Sequence, residues 1–163
     1  MVVGCNFCPF AARPLKQETI QYHVSYDTTP ALVLQSFLKE CLRLDHFASI
    51  ETSFIILPNA YARFEDYLDL VNLAEKLLKI EGYEGIYQVA GFHPLYSFAG
   101  APESDAANFT NRSVYPMLHL LREARITEVL LQYPDPQNIP QRNIDFARSK
   151  GTAYMKMLRD ACL

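Results

Sequence analysis

The chain has 163 residues, half of them apolar, and a formal net charge of −3. That length fits one domain of ordinary size and buries roughly two thirds of its unfolded surface, so a core needs no staples. No run of about 18 apolar residues marks a membrane span, and no cluster of Lys and Arg marks a nucleic-acid surface, which puts a small-molecule partner ahead of either. Charge is uneven. Up to Ala90, 11 acids and 7 bases give 7 − 11 = −4, and from Gly91 onward 7 acids and 8 bases give 8 − 7 = +1. Met1 to Phe10 has neither a basic n-region nor a long apolar h-region, so no signal peptide is expected and the predicted location is cytoplasmic. Cys5, Cys8, Cys41 and Cys162 are then expected to be reduced.

In chain order, Ile20 to Tyr26 places Ile20, Tyr22, Val24 and Tyr26 on one face and predicts a strand. Thr28-Thr29-Pro30 predicts a helix start, with a Thr cap and Pro in the first turn. Leu34, Phe37, Leu38, Cys41 and Leu42 carry that helix to about Leu44. Thr52 to Leu57 predicts a buried strand, broken by Pro58-Asn59. Phe64, Tyr67, Leu68, Val71, Ala74 and Leu78 form the stripe of a helix from about Ala60 to Glu81, stopped by Gly82. Gly85 to Phe92 predicts a third strand. A long loop follows from His93 to Arg112, of the kind that is usually functional or mobile. Beyond it, helices are expected at Val114–Arg125, Thr127–Tyr133, Pro140–Lys150 and Thr152–Cys162. The fold class is therefore α/β: a β-α-β-α-β core with a small sheet of three strands or slightly more, covered by helices, and a helical C-terminal part, all in one domain spanning residues 1–163.

Chemistry concentrates between Gly91 and Glu123. His93 stands at the end of the third strand, where ligands of open α/β sheets gather, and a neutral imidazole serves as base or metal ligand. On a helix opened by Ser113, Tyr115, His119 and Arg122 share a stripe. The start of that helix, with Arg112 and Arg122, would clamp a phosphate or carboxylate. Asp105, Asn108 and Asn111 precede it and are suited to substrate hydroxyls or to a hard metal with its water. Cys5 and Cys8 form a lone CxxC with no strand before it, which is a weak redox signal and a poor zinc site. Cys8 remains a candidate nucleophile that would need a His or a helix start beside it.

Six stretches stand out as motifs: Asn6-Phe7-Cys8-Pro9-Phe10-Ala11, Gln88-Val89-Ala90-Gly91-Phe92-His93-Pro94, Phe98-Ala99-Gly100, the long stretch Asn108–Glu123, Tyr133-Pro134-Asp135 and Ile139-Pro140-Gln141-Arg142-Asn143. On these the chain resembles the bacterial family catalogued as domain of unknown function 1415. The resemblance implies that Cys8, His93, Asn111, Arg112, His119 and Arg122 belong to a shared pattern, and it implies no particular activity. It puts an aliphatic residue where Cys5 stands. Family members usually begin with a further helical segment, so the shorter start here is expected to expose apolar surface or favour self-association.

The leading expectation is an enzyme or binding protein for a small anionic molecule. In it Arg112, Arg122, Asn111, Asp105 and Tyr115 bind substrate, His93 or His119 acts as acid–base, and Cys8 acts as nucleophile. Hydrolysis or group transfer is the expected class, because no Gly-rich dinucleotide or P-loop signature appears; the sequence implies no particular cofactor. The alternatives are a metal site built from Cys8, His93, His119 and an acid, and a non-catalytic protein-interaction module.

Overall fold

The structure, a computed structural model, describes residues 1–162. A short helix α1 (Ala12–Lys16) leads into β1 (Ile20–Val24), α2 (Pro30–His46), β2 (Thr52–Ile56), α3 (Phe64–Ile80) and β3 (Tyr87–Phe92). Thr29 holds the extended backbone of a helix cap, although its hydroxyl makes no cap hydrogen bond. Helix α3 starts later than its apolar stripe suggests. Tyr61 sits in the left-handed region at φ 59°, and its carbonyl is taken by the ring of His93 at 2.8 Å, so the segment before Phe64 is a turn. Gly82 ends the helix at φ 76°, with the Tyr83 N–H reaching back to the Leu78 carbonyl at 2.7 Å; this is the αL stop that glycine tolerates.

The principal departure lies after the long loop. No helix spans Val114–Arg125. Instead Met117–Arg122 is a fourth strand, β4, and helix α4 begins only at Glu123 and runs to Gln132. Physically, Met-Leu-His-Leu-Leu-Arg is a short apolar run that fits a period of 2 as well as 3.6. Pro116 disfavours a helical conformation for the residue before it. Tertiary packing then decides, with Leu118 and Leu120 fully buried on one face and Met117, His119 and Leu121 on the other.

The mixed sheet has the order β1-β2-β4-β3. β1 and β2 are parallel, and β4 is antiparallel to both β2 and β3. One face is covered by α2 and α3: Val33, Phe37, Cys41 and Leu44 from the first, and Tyr67, Leu70, Ala74 and Leu78 from the second, pack on Ile55, Leu118, Leu120 and Tyr87. Burial pushes the Cys41 thiol up to about 12, so it behaves as a small apolar core residue. Under β1 and β2 lies a buried carboxylate, Glu40, which accepts from the Ser53 hydroxyl at 2.7 Å and from the Arg43 Nε at 3.1 Å.

Helix α5 (Ile139–Asp160) is broken at Gly151, whose backbone (φ 79°, ψ 162°) is not helical. The two expected C-terminal helices are thus its two arms. Together with a 3-10 segment at Ala106–Thr110, this helix builds a second apolar cluster of Phe7, Ala106, Phe109, Ala147 and Met155. No helix among the described residues is long and apolar enough to cross a membrane.

Candidate functional site

His93 follows β3 and turns toward the helix-covered face. It is fully buried between Phe64 and Tyr67, with ring centroids 5.2 and 5.0 Å away. Its Nε2 donates to the Tyr61 carbonyl at 2.8 Å, and its Nδ1 accepts the Leu95 N–H at 3.0 Å. Both nitrogens are occupied, and burial lowers the pKa of the ring, so the imidazole is a neutral strut tying the turn before α3 to the start of the loop.

His119 belongs to the opposite face. It stacks on Phe54 at 3.8 Å, and its Nε2 lies 2.6 Å from the Thr52 hydroxyl. That hydroxyl donates to the Leu120 carbonyl at 2.6 Å, so it accepts from His119 and fixes the Nε2–H tautomer. Burial pushes this imidazole down to about 3. The two histidines therefore work on opposite sides of the sheet.

The arginines do not form a clamp either. Arg112 donates to the Tyr96 and Glu103 carbonyls, each at 2.9 Å, and lies over the Phe109 ring at 4.8 Å, which pins the loop. Arg122 is at the far end of β4, roughly 17 Å of strand away. There it donates to the Leu44 carbonyl at 2.6 Å and the Ile50 carbonyl at 3.1 Å, so it caps the end of α2. Asp105 caps the 3-10 segment through the Ala107 N–H at 2.9 Å and pairs with Arg148 at 2.7 Å. The Arg148 guanidinium holds that carboxyl down at about 2. The Tyr115 side chain is exposed.

What the fold does bring together is a partly open cavity of about 300 Å³ where the N-terminal segment, the end of β3, the long loop and the start of α5 meet. Val2, Phe7, Phe92, Phe98, Ile139, Pro140 and Ile144 give it apolar walls, and Cys8, Thr110, Asn111 and Asn143 bring its polar groups. The N-terminal segment is held there by its backbone. Asn143 Nδ2 donates to the Phe7 carbonyl at 2.6 Å and Arg142 Nη2 to the Asn6 carbonyl at 3.0 Å. Asn6 supplies the required left-handed turn at φ 55°, a conformation that asparagine tolerates better than most residues. Across the cavity Asn111 Nδ2 reaches the Gly91 carbonyl at 3.3 Å, and its Oδ1 accepts from Thr110 at 3.1 Å.

A model of the family described as "Protein of unknown function (DUF1415)" matches residues 1–157. The chain belongs to this family. No curated protein and no solved structure matches it. Five stretches that carried the resemblance in this DUF1415 chain supply walls of the one cavity: those around Phe7-Cys8, Phe92, Phe98, Thr110-Asn111 and Ile139–Asn143.

Of the residues singled out from the sequence, Cys8 and Asn111 line this cavity, whereas His93, His119, Arg112, Arg122, Asp105 and Tyr115 do not. The expected metal set of Cys8, His93 and His119 is not assembled. Among the described residues no three His, Cys, Asp or Glu side chains group as metal ligands would. Thr110 and Asn143 were not singled out as site residues. Both stand inside motifs that carried the resemblance, and that was the available signal.

Proposed function

We propose that this DUF1415 chain binds a small, largely apolar molecule bearing one or two neutral polar groups, in the cavity shared by Phe7-Cys8, Phe92, Phe98, Asn111 and the first turn of α5. The observation that supports this reading is the cavity itself: concave, mostly apolar, with a few amide, hydroxyl and thiol groups brought to it from separate segments, which is the usual make-up of a ligand site. An anionic ligand is less well supported, because no Arg or Lys lines the walls and Arg112 and Arg122 direct donors to backbone carbonyls. Catalysis is also less well supported than binding. Cys8 offers a sulphur nucleophile, but no histidine borders the cavity to act as its base.

The test is a thermal melt against neutral amides, alcohols and ketones, with phosphorylated metabolites and divalent metals as separate arms. A ligand at a hundred times its dissociation constant stabilises by about 2.7 kcal/mol. Binding should also slow alkylation of Cys8 by iodoacetamide, followed by peptide mass spectrometry. Filling the cavity with Ile144→Trp should remove both effects. Shifts only from phosphorylated compounds, or a shift that survives Ile144→Trp, would overturn the reading.

A further inference from the structure

The sheet ends at β1, whose only hydrogen-bonded neighbour among the described residues is β2. The backbone hydrogen bonds fix which residues face that neighbour. The Thr19 carbonyl accepts from the Glu51 N–H at 2.8 Å, and the Ser25 N–H donates to the Ile56 carbonyl at 2.9 Å. Along a strand, the residues that face one side alternate with those that face the other. Odd-numbered residues therefore bond to β2, while Ile20, Tyr22 and Val24 direct N–H and C=O groups to the open edge. Among the described residues only the Tyr22 carbonyl has a partner, the adjacent Gln21 side chain at 3.2 Å. A carbonyl has two lone pairs, so that acceptor is still usable.

Two of the devices that blunt an edge strand, charged side chains and proline, are missing. From Thr19 to Tyr26 there is no Asp, Glu, Lys, Arg or Pro, and charges and prolines are what usually guard such edges. The side chains on the outer face are apolar and prominent: Tyr22 is 54% exposed and Val24 45%. Tyr22 is also the end of a row of rings, stacked on Phe54 at 5.8 Å, which stacks in turn on His119 at 3.8 Å.

We infer that β1 is a self-pairing edge whose partner is β1 of a second copy of this chain, antiparallel, about a two-fold axis through Tyr22. In that arrangement Tyr22 faces Tyr22, and Ile20 faces Val24. Every facing residue is one whose backbone groups point outward, so each of the three pairs exchanges two hydrogen bonds, about six in all. The outer-face side chains that meet are Ile20 with Val24 and ring with ring, pairs that favour cross-strand association. No like charges are brought together within the strand. The two four-stranded sheets become one, and the contact is isologous, so it closes at a dimer. A five-residue strand pair buries less than the roughly 1,600 Å² of a standard stable interface, so the dimer dissociates on dilution.

Sedimentation velocity of the intact chain tests this from low to high micromolar concentration. The mass should rise from 18.6 kDa toward twice that value. Amide exchange at Ile20, Tyr22 and Val24 should slow over the same range while that of Leu118 and Leu120 stays unchanged. Tyr22→Lys places two ammonium groups at the axis and should keep the chain monomeric with unaltered circular dichroism. Val24→Pro deletes only an outward N–H and should do the same; should it unfold, Tyr22→Lys decides. A chain monomeric at every concentration, or a dimer that survives Tyr22→Lys without protection at Tyr22 and Val24, would overturn the inference.

Discussion

At the scale of single residues, His119 illustrates how an acid–base candidate becomes a structural group. Its ring is stacked on Phe54 and hydrogen-bonded to Thr52, and desolvation holds it neutral down to about pH 3. In the unfolded chain a histidine binds its proton near pH 6.5. Below that value the unfolded state takes up a proton that the folded state refuses. The stabilising contribution is therefore complete above about 6.5 and is lost as pH falls from there toward about 3, with a slope of up to about 1.4 kcal/mol per pH unit. His119→Phe keeps the stack and removes the titration. Urea midpoints measured at about pH 7 and about pH 5 should lie closer together in this variant than in the parent chain. The sequence pattern put His119 on a helix rather than on β4, and its role was not legible there, because the rings that desolvate it, with Phe54 stacked at 3.8 Å, come from the neighbouring strand.

At the scale of elements, β1, β2, β3, α2 and α3 were legible because each carries a pattern long enough to distinguish its period. Val33, Phe37, Cys41 and Leu44 repeat along α2; Tyr67, Leu70, Ala74 and Leu78 repeat along α3. β4 was not legible, because its six residues lack a strict alternation of apolar and polar side chains and both periods place Leu118 inside. The supposed anion site was lost with the misassigned helix, since it relied on a helix start at Ser113. Besides the apolar packing, a single hydroxyl hydrogen-bonds α3 to both β4 and β3. Tyr67 donates to the Met117 carbonyl at 2.7 Å and accepts from the Phe92 N–H at 2.9 Å. Gly91 makes room for it, since a Cβ there would stand 2.7 Å from that oxygen. Gly91→Ala should therefore destabilise by about 2–4 kcal/mol through loss of both bonds at a buried position, and Tyr67→Phe by about 1–3 kcal/mol. On the Tyr67→Phe background the added methyl meets no hydroxyl, so the double variant should cost well under the sum. Denaturant unfolding of the three variants measures this coupling.

At the scale of the whole molecule, two apolar clusters divide the labour. The sheet with α2 and α3 forms the larger one, and α5, the 3-10 segment and Phe7 form the smaller. The cavity opens where the smaller cluster meets Phe92 on the outer side of the sheet. The stretch from Gly91 to Glu123 and the N-terminal motif both stand out in the sequence, and Phe92, Phe98, Thr110 and Asn111 of the first line the cavity beside Phe7 and Cys8 of the second. Their juxtaposition was not legible, because it depends on Asn143 and Arg142 in α5 grasping the backbone of Asn6 and Phe7 from 136 residues away. Phe7 sits edge-on to Phe146 at 5.7 Å and is the apolar anchor of this arrangement. Phe7→Ala should cost about 3–5 kcal/mol of local stability. Hydrogen exchange should quicken at Cys5, Asn6 and Phe7 and through the first arm of α5, with Leu118 and Leu120 still protected, and Cys8 should alkylate faster.

The strand order also dictates when the sheet can close. β4 lies between β2 and β3, so β3 has nothing to pair with until Met117–Arg122 has been synthesised. On the ribosome, the first two thirds of the chain present only the β1–β2 ladder, with β2 bare on one side. Long-range pairing of this kind slows folding, and an unpaired strand invites association with other chains. A nascent chain arrested before Met117 should therefore be protease-sensitive at β3, and protection should appear in a single step once β4 clears the exit tunnel.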